Sequence, residues 1–527
     1  MAESKGQLAR FAAVFAGGTL LSRVLGLARD IVIAGLIPTA ARDAFFFAFR
    51  LPNMLRDMLG EGATNAAFVP VLAATQEKEP PAAFRELVAQ LLGVMMVVLV
   101  LLTVLGVLAM PLVPSVLELL RPLTNAEPKD AQEMRETVRI MQWTFPYLLF
   151  IGLAAFAMAP LFSVRRYGAP SWAPALLNVA FIAGCAALYN RFENPAWSLV
   201  VGVWLGGAAQ LVVLAWAMRR HAGVLWPAFP PRHPGVGKAF LLLLPVILGQ
   251  ATGEVNKLVD NFFAYSLEEG VVTALFYANH LVQLPLSIFG VAVSVAILPS
   301  ISRAAARGAH GEVRDTLLHS YRQTFFLVFP AMIGLVFLRE PIMRLLFERG
   351  AFTADETARA ATALMYYGLG LLSFAWVKVS VQGFYAMHDT KTPVIIATSS
   401  MFLNILLNCA LVGPLGYRGL AIATTISFTI NFILLYAFLN GRYGTLWDRA
   451  ATGAFFRMAM ATIMMCGVAY GLNYRLEYHL GTEGFGARLI VVVVPIAVAT
   501  IVYAALCRAL GVAEMRELIA AFRRRQR

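Results

Sequence analysis

The amino-acid sequence predicts an all-α, polytopic membrane protein with about fourteen transmembrane helices. Of its 527 residues, 59% are hydrophobic and only 14% are charged, whereas a soluble domain carries roughly 25% charged residues. Apolar runs recur along the chain, and many approach the ~20 residues that a helix needs to cross a bilayer. The runs are continuously apolar and do not alternate, which argues against a transmembrane β-barrel. The composition excludes a cytosolic enzyme, a secreted disulfide scaffold and a disordered chain.

The predicted helices follow one another without a soluble domain between them. Some runs, such as 91–110 and 489–506, are almost purely apolar, whereas helices 1, 2, 7, 8 and 10 contain charged or titratable residues. No connecting segment is long enough to fold by itself, so we expect the function to lie within the membrane. The helix centres fall near residues 20, 60, 98, 150, 178, 207, 250, 288, 327, 370, 402, 427, 462 and 497.

The distribution of basic residues predicts the orientation. The net charge is +13, and most Lys and Arg stand between apolar runs, which indicates a membrane surface as the partner and not nucleic acid. The N-terminus, the loops after even-numbered helices and the C-terminal tail hold about twice as many Lys and Arg as the opposite side. Both termini are therefore predicted to be cytoplasmic. The four cysteines lie in apolar stretches without metal-ligand spacing, so no metal site is expected.

Two short patterns recur at a distance of six helices. Leu51-Pro52 returns as Leu284-Pro285, and the segment 161–170 resembles the segment 384–393. We therefore predict two six-helix lobes related by a pseudo-twofold axis along the membrane normal, as in alternating-access transporters. The predicted boundaries are 1–222 for the N-lobe (helices 1–6), 223–445 for the C-lobe (helices 7–12), and 446–527 for helices 13 and 14 with a basic cytoplasmic tail.

Four arginines interrupt the first two predicted helices: Arg23, Arg29, Arg50 and Arg56. One Arg at the centre of a bilayer costs about 2.5 to 3.5 kcal/mol even on the lenient insertion scale. We therefore expect these side chains to line a cavity inside the protein. Guanidinium groups keep their charge and offer paired donors that suit phosphate or pyrophosphate. The pattern predicts a binding site for an anionic substrate.

Nearby acids offer a structural alternative. Asp30, Asp43, Asp57 and Glu61 could neutralise the arginines in permanent pairs, an interpretation that suits Arg29 and Arg50 best, or could hold them between substrates as gating partners. On predicted helix 7, Glu254, Lys257 and Asp260 follow one another at three-residue spacing, so they share one helix face and can neutralise one another.

Motifs along the whole chain resemble the MurJ (MviN) family of lipid II flippases, which belongs to the multidrug/oligosaccharidyl-lipid/polysaccharide (MOP) exporter superfamily. The resemblance implies fourteen helices in two six-helix lobes and two further C-terminal helices. The motifs are Ser22-Arg-Val-Leu-Gly26, Ala28-Arg-Asp30, Asp43-Ala-Phe-Phe46, Leu51-Pro-Asn-Met-Leu-Arg56, Glu61-Gly-Ala63, Ala67-Phe-Val-Pro70, Thr144-Phe-Pro-Tyr147, Leu284-Pro-Leu-Ser-Ile-Phe-Gly290, Gly383-Phe-Tyr385, Asp389-Thr-Lys-Thr-Pro393 and Gly413-Pro-Leu415.

The resemblance also implies a function and a set of site residues. Members move lipid II, the undecaprenyl-pyrophosphate-linked disaccharide-pentapeptide, from the inner to the outer leaflet of the bacterial cytoplasmic membrane. Carried over by motif, the important cavity residues are Arg23, Arg29 and Arg56, with Asp43 and Glu61 as accompanying acids. The sequence departs from the family in helix 8, where His280 stands at a position that is commonly Arg. Lys378 in helix 10 matches a family lysine, with a paired structural cation as the alternative.

The sequence is compatible with three energy sources for transport. Asp260 with Asn404, Asn408 and Thr424 would supply oxygen ligands for a sodium ion, although Asn408 replaces a position that is often acidic in the family. Proton coupling or the membrane potential are alternatives, and no cofactor is expected. Besides lipid II and membrane lipids, cell-wall synthesis proteins are candidate partners, and a monomer is expected.

Three other functions are weighed against a lipid II flippase. A flippase for another polyprenyl-linked glycan would use the same physical principles. A cation-coupled drug exporter of the same superfamily would more naturally place acids than arginines in its cavity. A membrane glycosyltransferase or phosphatase is disfavoured, because the sequence contains no DxD or DDxxD motif, no metal-spaced histidines and no large extramembrane loop. A transporter is therefore expected, not an enzyme.

Overall fold

The computed structural model describes residues 5–59, 64–125 and 127–525. Over these residues the chain forms twenty-one α-helices, one 3-10 turn and one π-helical segment. The chain divides into two compact units. The first comprises Met1–Val272 with Arg349–Phe352, and the second comprises Thr273–Glu348 with Thr353–Arg527. The lobe boundaries expected from the sequence remain predictions.

The first unit contains ten helices in its described residues. They are α1 (Lys5–Leu36), α2 (Thr39–Leu59), α3 (Asn65–Lys78), α4 (Pro81–Ala109), α5 (Val113–Thr124), α6 (Ala131–Thr144), α7 (Tyr147–Ser163), α8 (Gly168–Leu188), α9 (Ala196–Ala222) and α10 (Pro234–Tyr265), with a 3-10 turn at Met110–Leu112.

The second unit begins within α11 and continues to the C-terminal helix. Its helices are α11 (Val271–Pro285), α12 (Val291–Ala306), α13 (His310–Phe337), α14 (Arg339–Phe347), α15 (Ala354–Leu369), α16 (Leu371–Tyr385), α17 (Lys391–Leu415), α18 (Tyr417–Tyr443), α19 (Arg449–Leu480), α20 (Phe485–Ala509) and α21 (Ala513–Arg525), with a π-helical segment at Leu286–Gly290.

The helices confirm the predicted all-α membrane class. Within the described chain, eleven helical stretches are long and apolar enough to cross a membrane, and bent α10 brings the number to twelve. The two other predicted spans correspond to α1 and to the α2–α3 pair, which carry the charges noted in the sequence. The expected number of about fourteen is consistent with this arrangement.

Prolines mark the places where long helices deviate. The axis of α10 bends by 47° between Ile247 and Gly249, just after Pro245, whose ring clashes with the preceding turn and removes one backbone hydrogen bond. Pro285 ends α11, and the π-helical segment follows at once. Such irregular turns leave backbone groups outside the regular hydrogen-bond ladder.

The two segments that resemble each other in sequence also share a backbone geometry. Arg165 and His388 stand at equivalent positions, and both have a left-handed backbone with φ of 60° and 58°. In the first segment the amide of Arg166 donates to the carbonyl of Leu161 at 2.8 Å, and the equivalent pair in the second segment is 3.0 Å apart. Both helices thus end in the same kind of turn, with the left-handed residue at its centre.

Small residues bring α8 close to its neighbours in the first unit. A Cβ atom added at Gly184 would lie 2.8 Å from the Cα of Gly202 on α9, so the two backbones touch directly, as small residues permit between membrane helices. On another side α8 packs against α1. This packing positions α8 beside the charged part of α1.

Aromatic packing and ion pairs hold the second unit together. The hydroxyl groups of Tyr321 on α13 and Ser380 on α16 are hydrogen-bonded at 2.7 Å. The ring of Phe325 packs edge-to-face on that of Phe455 of α19, with centroids 4.8 Å apart. Away from this core, Arg344 on α14 pairs with Glu477 on α19 at 2.7 Å. These contacts join helices that are far apart in sequence.

Candidate functional site

Arg29 is held by groups on two helices of the first unit. Its Nε and Nη2 donate to Oδ1 of the adjacent Asp30 at 2.9 and 2.8 Å, and Asp30 is completely buried. Its Nη1 donates to Oδ1 of Asn178 on α8 at 3.2 Å. The guanidinium carbon also lies 5.3 Å from the centre of the Phe181 ring, within the range of a cation–π contact. The guanidinium is therefore both neutralised and fixed in orientation.

Asn178 links α8 to two turns of α1. While its Oδ1 accepts from Arg29, its Nδ2 donates to the backbone carbonyl of Ser22 at 3.0 Å. The amide thus uses both of its polar ends to set the position of α1 at residues 22 and 29. The sequence analysis missed this residue, although a lone Asn in the apolar helix 168–188 was a signal for it.

Arg56 lies at the end of α2 beside its own acid. Its Nη2 and Nε donate to Oδ1 of Asp57 at 2.6 and 3.1 Å, and both side chains are less than one-third exposed. Arg56, Arg29 and Asp57 all act electrostatically on the buried hydroxyl of Tyr147 on α7. The two arginines therefore share a neighbour and belong to one charged region of the first unit.

A row of aromatic rings connects the surroundings of the two arginines. Phe181 packs on Phe45 with ring centroids 5.7 Å apart, Phe45 stacks on Phe49 at 5.5 Å, and Phe49 lies 5.4 Å from Tyr147. Rings are rigid and bury large areas. This row supports α2 between α7 and α8 and thereby fixes the separation of Arg29 and Arg56.

Arg50 forms an ion pair with α10. Its Nη2 lies 2.9 Å from Oε2 of Glu254, whose other oxygen accepts from Nζ of Lys257 at 2.6 Å. The Glu254–Lys257 pair agrees with the three-residue spacing noted in the sequence. One carboxylate thus serves two cations, and the arrangement favours a structural role for Arg50.

Arg23 differs from the other three arginines. In the described part of the chain, its side chain is exposed and makes no hydrogen bond or ion pair, whereas Arg29, Arg50 and Arg56 each bind a carboxylate. A guanidinium without a protein partner offers all of its donors to a ligand. Arg23 is therefore the arginine of this group whose charge is most available to an anionic substrate.

Asp43 and its neighbour Arg42 bind backbone groups. Oδ2 of buried Asp43 accepts from the amide of Gly270 at 2.6 Å, which places it at the turn that follows α10. Arg42 is completely buried, donates to the carbonyl of Ala34 at 3.1 Å and lies over the ring of Phe352 at 4.8 Å. The sequence analysis did not single out Arg42. Glu61, the other predicted acidic partner, lies outside the described residues.

The remaining predicted residues lie mainly in the second unit. His280 is on α11, and its ring lies 6.0 Å from that of Phe276. Asn404 and Asn408 are fully buried on α17. Asn408 donates to Oδ1 of Asn404 at 3.0 Å, and Asn404 donates to Oγ1 of Thr424 at 3.4 Å. These three residues are hydrogen-bonded to one another in the second unit, and Asp260 belongs to α10 of the first unit.

The arrangement in the first unit suits reversible binding of an anion. Each carboxylate beside Arg29 and Arg56 is on the adjacent residue, so the pair persists without a substrate. A phosphate oxygen can replace such a carboxylate as acceptor, since guanidinium binds both with similar geometry. Exposed Arg23 adds an uncompensated positive charge. The site can therefore hold a phosphate-bearing group.

Known proteins with similar sequences and structures agree with this picture. The family described as lipid II flippase MurJ matches residues 35–488. A probable lipid II flippase MurJ of Haemophilus influenzae is 35% identical over 504 residues, which cover 94% of this chain and 98% of that protein. A solved structure of lipid II flippase MurJ in an inward closed conformation is 25% identical, with a TM-score of 0.76 over 94% of this chain and 99% of the other.

A more distant structural relative shares only the fold. An inward-facing multidrug resistance MATE family transporter of the MOP superfamily is 16% identical, with a TM-score of 0.65 over 81% of this chain and 95% of that chain. This similarity agrees with the predicted fold class.

Proposed function

The chain belongs to the MurJ family of lipid II flippases, and from this premise we propose that it carries lipid II from the inner to the outer leaflet of the bacterial cytoplasmic membrane. It is a multi-span membrane transporter and not an enzyme. The assignment to this chain's own residues rests on the arginines of the first unit. Arg23 is exposed on α1, and Arg29 and Arg56 are each paired with the carboxylate of the next residue.

We propose that Arg23 makes the first contact with the pyrophosphate. The two phosphoryl groups carry negative charge and several acceptor oxygens, which suit the donors of a guanidinium. Arg29 and Arg56 then exchange their adjacent carboxylates for phosphate oxygens. Because Asn178 and Phe181 hold Arg29 from α8, this exchange changes the charge of the site without moving the guanidinium far.

The proposed orientation places both termini in the cytoplasm, as the distribution of Lys and Arg predicts. In this orientation an inside-negative potential favours the outward movement of a negatively charged head group by about 2.3 kcal/mol per charge per 100 mV. We propose that the potential acting on the substrate supplies the driving force; a sodium ion bound by Asp260, Asn404, Asn408 and Thr424 is the alternative.

The test of the function is rescue of a bacterium depleted of its own lipid II flippase. Lipid II exposed on the outer leaflet would be measured for the parent chain, for Arg23→Ala and for Arg191→Ala. Arg191 is exposed in the turn between α8 and α9, so its loss removes one positive charge from the same unit but away from the site. We expect the parent and Arg191→Ala to restore exposure and Arg23→Ala to lose at least ~90% of it, a tenfold change that corresponds to about 1.4 kcal/mol.

The same strain shows whether the substrate is lipid II or another polyprenyl-linked glycan. If the well-expressed parent failed to expose lipid II in cells and also failed to flip purified lipid II in liposomes, the proposed substrate would be wrong. Transport in liposomes at imposed potentials of both signs would test the driving force. A rate that does not depend on the sign of the potential would contradict that part of the proposal.

A further inference from the structure

The connection between α9 and α10 presents two large aromatic side chains outward. This connection comprises residues 223–233 and is named the 223–233 loop. Trp226 is 77% exposed and Phe229 is 57% exposed, whereas Val224 of the same loop is buried. Isolated apolar residues are common on protein surfaces, but these two belong to one short segment, Trp226-Pro-Ala-Phe-Pro-Pro231.

The backbone of the 223–233 loop is fixed on α4. The amide of Ala228 donates to the carbonyl of Ala89 at 2.9 Å. Oε1 of buried Gln90 accepts from the amides of Arg232 and His233 at 2.9 and 2.8 Å. The exposed rings are thus presented from an ordered segment, so binding through them requires little additional ordering of the chain.

The position of the loop along α4 places the rings at the border of the apolar region. A Cβ atom added at Gly93 would lie 2.8 Å from the carbonyl oxygen of Ala228 and 3.1 Å from the ring of Phe229. Gly93 is close to the start of the apolar run 91–110, and Arg85 precedes it on the same helix by about 12 Å at 1.5 Å per residue. This is the depth at which aromatic side chains concentrate at a membrane surface.

Basic residues outnumber acids around the loop; the acids beside it are Glu79, whose Oε2 lies 3.2 Å from Nε2 of His233, and Glu86, which accepts from Nε2 of Gln90 at 2.8 Å. Exposed cations stand before, beside and after it, and no Asp or Glu occurs between Glu193 and Glu254. The stem of Arg85 lies against the start of the loop, since a Cβ atom at Gly223 would lie 3.0 Å from its Cδ. The exposed cations are Arg85, Arg219, Arg220, Arg232 and Lys238.

From these observations we propose that the 223–233 loop is a binding surface for anionic phospholipid head groups of the leaflet on the predicted cytoplasmic side. Trp226 and Phe229 insert at the level of the head groups, and Arg219, Arg220 and Arg232 bind the phosphates. Each Lys or Arg near an anionic membrane surface strengthens binding about fivefold, and the rings add apolar area. The surface is separate from the arginines of the proposed transport site and does not depend on the proposed function.

The first experiment measures binding of phosphatidylglycerol to the purified full chain by native mass spectrometry, with phosphatidylcholine as competitor. In one variant Arg219, Arg220 and Arg232 are all replaced by glutamine. The matched control replaces Arg303, Lys391 and Arg449, three exposed basic residues on the same predicted side in the second unit. We expect phosphatidylglycerol to bind at least about tenfold more weakly to the first variant and nearly unchanged to the control.

The second experiment measures the depth of Trp226. The chain and its Trp226→Phe variant are placed in nanodiscs whose lipids carry bromine either near the carbonyl of the acyl chain or near its end. The difference between their fluorescence reports Trp226 alone, and we expect stronger quenching by the shallow bromine. Equal loss of phosphatidylglycerol binding in both triple variants would overturn the proposal, as would a Trp226 signal that bromine does not quench. The second result would assign the surface to a soluble partner.

Discussion

Replacing Glu254 by glutamine tests whether Arg50 is part of a structural ion pair or of the substrate site. The carboxylate of Glu254 uses one oxygen for Arg50 at 2.9 Å and the other for Lys257 at 2.6 Å. Glutamine has nearly the same shape but no charge. The substitution therefore leaves two cations against a neutral amide without creating a cavity.

The size of the effect follows from the exposure of the three side chains. Removing one partner of a buried ion pair costs about 3–5 kcal/mol. The side chains of Glu254 and Arg50 are only 11% and 20% exposed, but that of Lys257 is 45% exposed and regains solvation. We therefore expect a loss of about 2 kcal/mol, below the fully buried range. At about 2–4 °C per kcal/mol for a unit of this size, the thermal midpoint should fall by roughly 4–8 °C.

The assay is thermal unfolding of the purified chain, run as a double-mutant cycle. Glu254→Gln, Arg50→Gln and the double variant are compared with the parent, and Glu193→Gln, in an exposed turn, is the control for the chemical change. We expect the double variant to be more stable than the sum of the single effects by about 1–2 kcal/mol, because it removes both charges together. It should also retain outer-leaflet exposure of lipid II in the rescue strain.

Two results would contradict this reasoning. An unchanged midpoint for Glu254→Gln would show that the pair contributes nothing to stability. A stable double variant that no longer exports lipid II would show that Arg50 acts on the substrate, as the sequence analysis allowed.

Three further substitutions test individual parts of the structure. Asn178→Ala should slow export about tenfold, because Arg29 keeps its pairing with Asp30 but loses the group that orients it. The stability should change little, because hydrogen bonds in membrane proteins contribute only ~0.6 kcal/mol on average. Rescue at matched expression measures the effect on export. The backbone amide of Thr392 is the main cause that lowers the pKa of Asp389 from its ordinary value of 3.8. The charged carboxylate of Asp389 therefore stabilises the fold at pH values above 3.8, and this stabilisation is lost as the pH falls through the lower pKa of the folded protein. The difference in thermal midpoint between the parent and Asp389→Asn should be present at neutral pH and should shrink on acidification below pH 3.8. Gly184→Val should destabilise the chain by about 1–3 kcal/mol, because the new side chain meets the backbone of α9, as thermal unfolding would show.

Each of these predictions has a distinct contrary outcome. Normal export by Asn178→Ala would show that Arg29 needs no support from α8. A gap for Asp389→Asn that does not change with pH would separate its stability effect from its charge. Gly467, on α19, has no neighbouring atom within 4 Å of an added Cβ, so Gly467→Ala is the control for Gly184→Val. Equal midpoints for these two glycine variants would contradict the close α8–α9 contact.

The helical membrane class could be predicted because it depends on local properties. Whether a run such as 91–110 enters the membrane is decided by its own apolar side chains and by its backbone, whose polar groups must bond internally. The same holds for ion pairs between neighbours, such as Arg29 with Asp30 and Arg56 with Asp57. The turns at 161–170 and 384–393 also follow from local sequence, since each closes its own hydrogen bonds.

Partners that are distant in sequence could not be predicted in this way. Arg50 and Glu254 are separated by 204 positions, and Arg29 and Asn178 by 149. Nothing in the local sequence distinguishes exposed Arg23 from completely buried Arg42, since both are arginines within helices of the first unit. Their difference depends on which groups the packed helices bring within hydrogen-bonding distance.

The sequence by itself determined the fold class, the family and the presence of an arginine-rich region within two helices. These depend on composition, motif and the cost of placing a charge in a bilayer, all of which are properties of short segments. Only the tertiary structure decided that Arg50 is neutralised by α10, that Asn178 orients Arg29 and that Arg23 remains available. The reason is physical: whether a charge is paired or free depends on distances of a few ångströms between helices, which packing sets.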